Sequence, residues 1–354
     1  MRSILVLTMY GDLAASSRQR VNQYIKIIQE NNFIIQVEPL FPNEYLENIF
    51  NGKKPSLIKI LYWYFKRLKI VARSSNFDLV WIQYELFPQL PSIFESIILF
   101  FNKNFILDYD DAIFHKYDLW GNSFSRLFLR KKLELLASKS KAIICGNTYI
   151  KDWADQHCQN TVLIPTVVNF EKYNGFKAKK TNTLPVIGWI GSPATWLYME
   201  PLIDLLEELS NAHNFEILIV GSGHHINLQN FTFKSWNEES EISDIASMDI
   251  GIMPLFKDPW ALGKCGYKLI QYMACSKPVI ASPVGVNCNI VEEGVNGFFA
   301  NTIEEWKAAI IKLVSDKNLR NSMGNAGALR INESFSFDSQ ASNLLKVLQD
   351  VNDA

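Results

Sequence analysis

No two of the five cysteines form a C-x-x-C pair and their number is odd, so the sequence implies neither a disulfide framework nor a zinc site. Long hydrophobic runs are missing too. The first apolar run breaks at Gly11 and Asp12, too short for a signal peptide or an anchor, and residues 97–101 fall equally short of the ~20 residues a membrane span needs. Charge of one sign is not in excess, because 35 Lys and Arg stand against 36 Asp and Glu, which argues against a nucleic-acid binder. A reducing cytoplasm is the expected setting. The turn after the first strand lacks the three glycines of a dinucleotide fingerprint.

What is present is a repeating rhythm of apolar runs and helix-period segments, the mark of an α/β chain with helix-covered parallel sheets. Strands are expected at 4–8, 33–37, 79–83, 105–108, 142–145 and 162–164. Helices are expected at 18–30, 91–101, 123–137 and 148–156. A lysine-rich, polar stretch at 170–183 has the composition of a linker. The rhythm restarts with strands at 186–190, 217–220, 231–234, 250–253 and 278–281, and three helices close the chain. The expected architecture is two doubly wound, Rossmann-like domains of 354 residues in total, facing a central cleft: 1–170, 171–334, and a terminal helix at 335–354. Residues 1–170 hold 20 basic against 15 acidic side chains, so the first half is the basic one.

The most informative segment is 254–297. Gly263 and Gly266 punctuate a loop, and the spacing of Leu269, Ile270 and Met273 predicts a helix starting near Gly266 or Tyr267. The backbone N–H groups of Cys265, Gly266 and Tyr267 would then sit at a helix N-terminus, which favours an anion. Lys264 and Lys268, four apart, would project from one side. A diphosphate fits that environment.

The run G-K-C-G-Y-K-L-I-Q-Y-M-A-C-S-K-P-V-I-A-S-P-V-G at 263–285, followed by E-G-V-N-G at 293–297, resembles the donor signature of family 4 glycosyltransferases of the GT-B fold. Both signature glutamates are replaced, the first by Gly263 and the second by Gln271. The resemblance implies that position 271 holds the nucleotide ribose, where a glutamine can still hydrogen-bond a diol. It also implies that the first glutamate touches the sugar, a contact Gly263 cannot make. The family's basic clamp on the diphosphate falls within 186–195, where this chain has Trp189 and neutral residues. Positive charge for the leaving group is therefore expected from Lys264, Lys268 and Arg18, with Ser192 and Thr195 adding neutral hydrogen bonds.

Other candidates follow from loops at strand ends. Gly11, Arg18 and Arg20 suit close approach of an anionic or sugar ligand, Arg18 on the donor and Arg20 on the acceptor. The pattern V-G-S-G at 220–223 places Gly221 in a tight turn near the donor. Asp108, Asp110 and Asp111 raise the alternative of a metal site, but the two-sheet pattern favours Asp110 or Asp111 contacting sugar hydroxyls, with His115 in reach of the acceptor. No metal or cofactor is expected beyond the nucleotide sugar itself.

Between Glu47 and Asp78 there is no acidic residue, while seven basic side chains interleave with aromatic and aliphatic ones. With a second cluster at Arg126, Arg130, Lys131 and Lys132, this suggests helices lying on an anionic membrane surface, beside a lipid-linked acceptor. The expected function is transfer of a sugar from a nucleotide-diphosphate donor to a glycan acceptor. The resemblance implies a retaining, metal-independent reaction in lipopolysaccharide, O-antigen or capsule assembly. A nucleotide-sugar epimerase of the same fold and a non-catalytic sugar-binding scaffold are the competing readings.

Overall fold

The computed structural model describes residues 1–50, 52–119, 129–176 and 184–353. The chain divides into two compact units, one formed by Met1–Thr166 with Gly263–Cys265 and the chain from Gln340 onward, the other by Val167–Leu262 and Gly266–Ser339. The change of unit falls at Thr166, four residues ahead of the expected boundary. Part of the expected linker is a helical turn, Phe170–Tyr173, whose Tyr173 is buried in the core of the second unit. Residues 177–183 of that linker lie outside the described residues.

The first unit carries a six-stranded parallel sheet in the order β2-β1-β3-β4-β5-β6. Its strands are β1 (Arg2–Tyr10), β2 (Phe33–Phe41), β3 (Leu79–Gln83), β4 (Phe105–Tyr109), β5 (Ala142–Cys145) and β6 (Thr161–Leu163). The second unit repeats the design as β12-β11-β10-β7-β8-β9. These are β7 (Val186–Ile190), β8 (Glu216–Val220), β9 (Phe231–Lys234), β10 (Ile250–Met253), β11 (Val279–Ala281) and β12 (Gly297–Phe299). Every pairing is parallel, and β3, β4 and β10 are buried throughout, as both-sided helix cover demands. β12 was not expected, being three residues long and glycine-led.

The helices expected at 18–30 and 91–101 are broken. The first becomes Ala15–Arg20, a 3₁₀ turn and Ile25–Glu30; the second becomes Ser92–Glu95 and Ile98–Phe101. Of the helix expected at 123–137, Lys132–Ala137 is described, and Arg126 lies outside the described residues.

Two cations expected on the membrane-facing surface belong to the interior. Arg67 is buried and donates to the carbonyls of Thr8 and Glu38. Lys132 is buried with its ammonium 2.6 Å from Glu85 and 3.2 Å from Glu95, donating also to the Phe87 carbonyl at 2.5 Å. Glu95 in turn accepts from the Leu86 and Phe87 amides, so this cluster holds the loop after β3. Burial pushes the Glu95 carboxyl up, and Lys132 opposes that rise. Lys132→Met leaves two buried carboxylates without their cation, at a cost of about 3–5 kcal/mol near neutral pH. Because the folded-state carboxyl then titrates still further above its unfolded value, the loss shrinks as pH falls. Denaturant titrations at neutral and mildly acidic pH measure both.

Candidate functional site

In the second unit the site is built on the helix Tyr267–Ala274. Gly266 precedes it at φ 68°, in the left-handed region, and a side chain there would press on Ile290 and Val286. Tyr272 fixes the helix to its sheet: its ring lies over Gly251 of β10, where a Cβ would sit 2.3 Å from the ring, and its hydroxyl accepts from the Ile190 amide at 2.9 Å. On the other side, Gly324 and Gly327 let the helix Lys317–Ser334 approach Ser276 and Met273.

This seating places Lys268 and Gln271. The Lys268 ammonium stands 5.6 Å from the centroid of the Trp189 ring, a cation–π pair within a half-buried setting. Gln271 is buried, and its Nε2 donates to Glu241 at 2.8 Å and to the Tyr173 hydroxyl at 3.2 Å. A carboxylate can only accept, so the amide nitrogen must face Glu241 and the amide oxygen must face away. Glu241 also accepts from Trp236 Nε1 at 2.7 Å and from Tyr173 at 3.3 Å. Burial, with Glu241 beside it, pushes the Tyr173 phenol well up, so it remains a neutral donor. Glu241 has no signal in the sequence, being one of several carboxylates in a polar stretch.

The glycine turns nearby are structural. A Cβ on Gly221 (φ 76°) would meet the Gly191 carbonyl at 2.3 Å, so the loops after β7 and β8 touch there. Thr195 spends its hydroxyl closing its own turn, accepting from the Ser192 amide and donating to the Ser192 carbonyl, both at 3.0 Å, while Ser192 is exposed. Tyr267 packs against the core cluster of this unit.

In the first unit, Asp110 follows β4 and is buried; among the described residues its Oδ1 has no hydrogen-bond partner. The Tyr84 phenol lies near the same carboxylate, and burial, followed by the charges of Asp110 and Asp111, pushes that phenol far up. Tyr84 itself sits at φ 67°, an unusual conformation for a residue with a Cβ, just past β3. Asp111 is half-buried next door. Gly146 allows β5 to end against Asp110, its Cβ position lying 2.8 Å from the Asp110 Cα.

The residues 263–265 are held in this unit. Asn147, the cap of Thr148–Ala154, donates to the carbonyls of Gly263 at 3.0 Å and Lys264 at 3.1 Å. A Cβ on Gly263 would meet the Ala112 Cβ at 2.1 Å, which gives the missing first glutamate a physical reason. Lys264 and Cys265 are half-buried. Lys264 precedes the turn at Gly266 and belongs to the first unit, Lys268 follows it and belongs to the second, so they are not a helical i,i+4 pair. Neither Tyr84 nor Asn147 was expected from sequence, although Asn147 in G-N-T after a strand is a cap signal.

Three expectations change. Arg20 is 4% exposed, with Nε 3.0 Å and Nη2 2.6 Å from Asp108 and Nη1 on the Ile164 carbonyl, so it fastens β4 and is not placed for an acceptor. Arg18 donates to the carbonyls of Asp12 and Leu13, holding the loop that begins at Gly11, and Gly11 itself packs on Asn43. His115 engages both ring nitrogens, Nδ1 with Asp118 at 2.9 Å and Nε2 with the Tyr149 hydroxyl at 2.8 Å. Among the described residues no three His, Cys, Asp or Glu side chains converge as metal ligands.

Residues 184–316 match the family model described as Glycosyl transferases group 1. Over 99% of both chains the sequence is 24% identical to the uncharacterized glycosyltransferase MJ1178 of Methanocaldococcus jannaschii. Among solved structures it resembles Alr3699/HepE of Anabaena, in complex with UDP-glucose, at a TM-score of 0.70 and 15% identity, covering 99% and 100% of the two chains. It also resembles WaaG, a glycosyltransferase involved in lipopolysaccharide biosynthesis, at 0.67 and 11% identity, covering 97% and 99%. Two parallel six-stranded sheets under helices, with a group 1 domain in the second half, make this chain a glycosyltransferase of GT-B architecture.

Proposed function

We propose that the chain transfers a sugar from a nucleotide-diphosphate donor, held by the second unit, to a lipid-linked glycan acceptor held mainly by the first. The observation that carries this reading is the donor half-site on Tyr267–Ala274: a helix opening, a lysine and an acceptor atom in one turn and a half of backbone. The diphosphate lies at Gly266–Lys268, where the positive end of the helix and the Lys268 ammonium favour negative charge. The ribose diol donates to Gln271 Oε1. Glu241 and Tyr173 hold the other end of that amide, so the glutamine presents an acceptor as a carboxylate would.

On the acceptor side, Asp110 offers Oδ1 to a sugar hydroxyl, with Tyr84 and Asp111 near the carboxylate. Lys264 adds positive charge from the tethered loop. The resemblance to the family signature supports retention of configuration and chemistry without a metal. Lipopolysaccharide, O-antigen or capsule assembly at the inner face of the cytoplasmic membrane is the setting of this reading, and the role of WaaG in lipopolysaccharide biosynthesis is in keeping with the first of these. Among the described residues no helix is long and apolar enough to cross a membrane.

UDP is the first probe, since the Anabaena structure contains a UDP-sugar. Lys268→Ala lowers UDP affinity roughly 10- to 100-fold, as loss of a charged hydrogen bond does, and leaves uridine affinity almost unchanged. Glu241→Ala lowers uridine and UDP affinity alike, about tenfold, and spares pyrophosphate. Titration calorimetry reads both; equal loss of uridine and UDP in Lys268→Ala contradicts the diphosphate assignment. Gly263→Glu, which restores the signature residue, lowers the melting temperature because Ala112 fills the space. With labelled donor, conversion to an isomer without acceptor identifies an epimerase, and binding with neither transfer nor hydrolysis identifies a scaffold.

A further inference from the structure

The helix Leu57–Ala72 is apolar on two faces, and the fold uses one of them. Trp63, Tyr64, Leu68 and Val71 pack into the core of the first unit. The opposite face carries Ile58, Leu61, Tyr62 and Phe65, exposed by 79%, 69%, 63% and 56%. Single exposed leucines are ordinary on a protein surface, but a row at i, i+3, i+4 and i+7 is a continuous stripe. The adjoining turn Ile98–Phe101 packs on the same helix and exposes Phe100 by 84%.

Positive charge borders the stripe. Lys59, Lys66 and Lys69 are exposed along the helix, with Lys53 and Lys54 before it and Arg73 after it. Lys69 places its ammonium 4.5 Å from the Phe65 ring centroid. Lys59 and Lys66 pair with Glu44 and Glu38, and such exposed pairs are weak enough to exchange for another anion. From Asn48 to Phe77 the chain has no carboxylate side chain to offset this border.

We propose that this face docks on an anionic lipid bilayer, with Ile58, Leu61, Tyr62 and Phe65 entering the headgroup region and the lysines reaching phosphate. An apolar stripe rimmed by cations is what an interfacial helix presents, the long lysine stems covering apolar surface while their charges stay wet. Charge selects this occupant: a second copy would bring the same cations face to face, whereas anionic lipid complements them. The inference deepens the reading of a lipid-linked acceptor, and its failure leaves the donor half-site in the second unit untouched.

Co-sedimentation of the full chain with phosphatidylcholine vesicles, with and without phosphatidylglycerol, tests it. Binding requires the anionic lipid and weakens with salt. Leu61→Glu and Phe65→Glu abolish it, and Lys66→Ala weakens it about fivefold. UDP-induced thermal stabilisation stays at the wild-type value in all three, which separates docking from folding and from donor binding. Equal binding to both vesicle types, binding to neither, or wild-type binding by Leu61→Glu overturns the proposal. So does a dimer in sedimentation equilibrium that Leu61→Glu dissolves, since a second copy would then cover the face.

Discussion

The contact between the Tyr272 ring and Gly251 is the constraint on which the proposed donor half-site rests. A strand interior normally favours a branched side chain, and glycine there weakens the strand. Its cost is offset by the ring that fills the space and by the hydroxyl that takes the Ile190 amide. The helix is thereby locked in height and rotation against β7 and β10. Lys268 then meets Trp189, and Gln271 meets Glu241, without either pair needing to find its own alignment.

Two departures from the signature that the sequence resembles become compensated features in this setting. Gln271 lacks the charge of the usual glutamate, yet a carboxylate reappears one hydrogen bond away as Glu241 and turns the amide oxygen outward. Gly263 lacks any side chain, and the space a Cβ would need is taken by Ala112 while Asn147 ties down the backbone. The strand where the resemblance expects a basic clamp carries Trp189, whose ring lies under the Lys268 ammonium. Within the first unit, Asp110 has, among the described residues, a buried oxygen without a hydrogen-bond partner, near Tyr84 at φ 67°.

Much of this was legible in the sequence because parallel strands covered on both faces are continuous apolar runs. β3, β5, β7 and β10 have the expected limits for that reason, while β9 follows from the alternation of F-T-F-K at the sheet edge. β12 escaped, since three residues led by glycine carry no periodic signal. Residue type located the turn at Gly266 and the helix after it, but not the partners of its side chains. Arg18, Arg20 and His115 have the chemistry of ligand contacts and are used within the fold, by loop carbonyls, by Asp108, and by Asp118 with Tyr149. Glu241 and Tyr84 were invisible because their roles arise from neighbours remote in sequence.

A crystal structure of the chain with UDP tests the central claim most directly. The account predicts diphosphate oxygens on the Gly266–Lys268 turn and a ribose hydroxyl within hydrogen-bond distance of Gln271 Oε1, with the Glu241 contact to Nε2 intact. Diphosphate bound elsewhere, or a ribose that leaves Gln271 untouched, would contradict it.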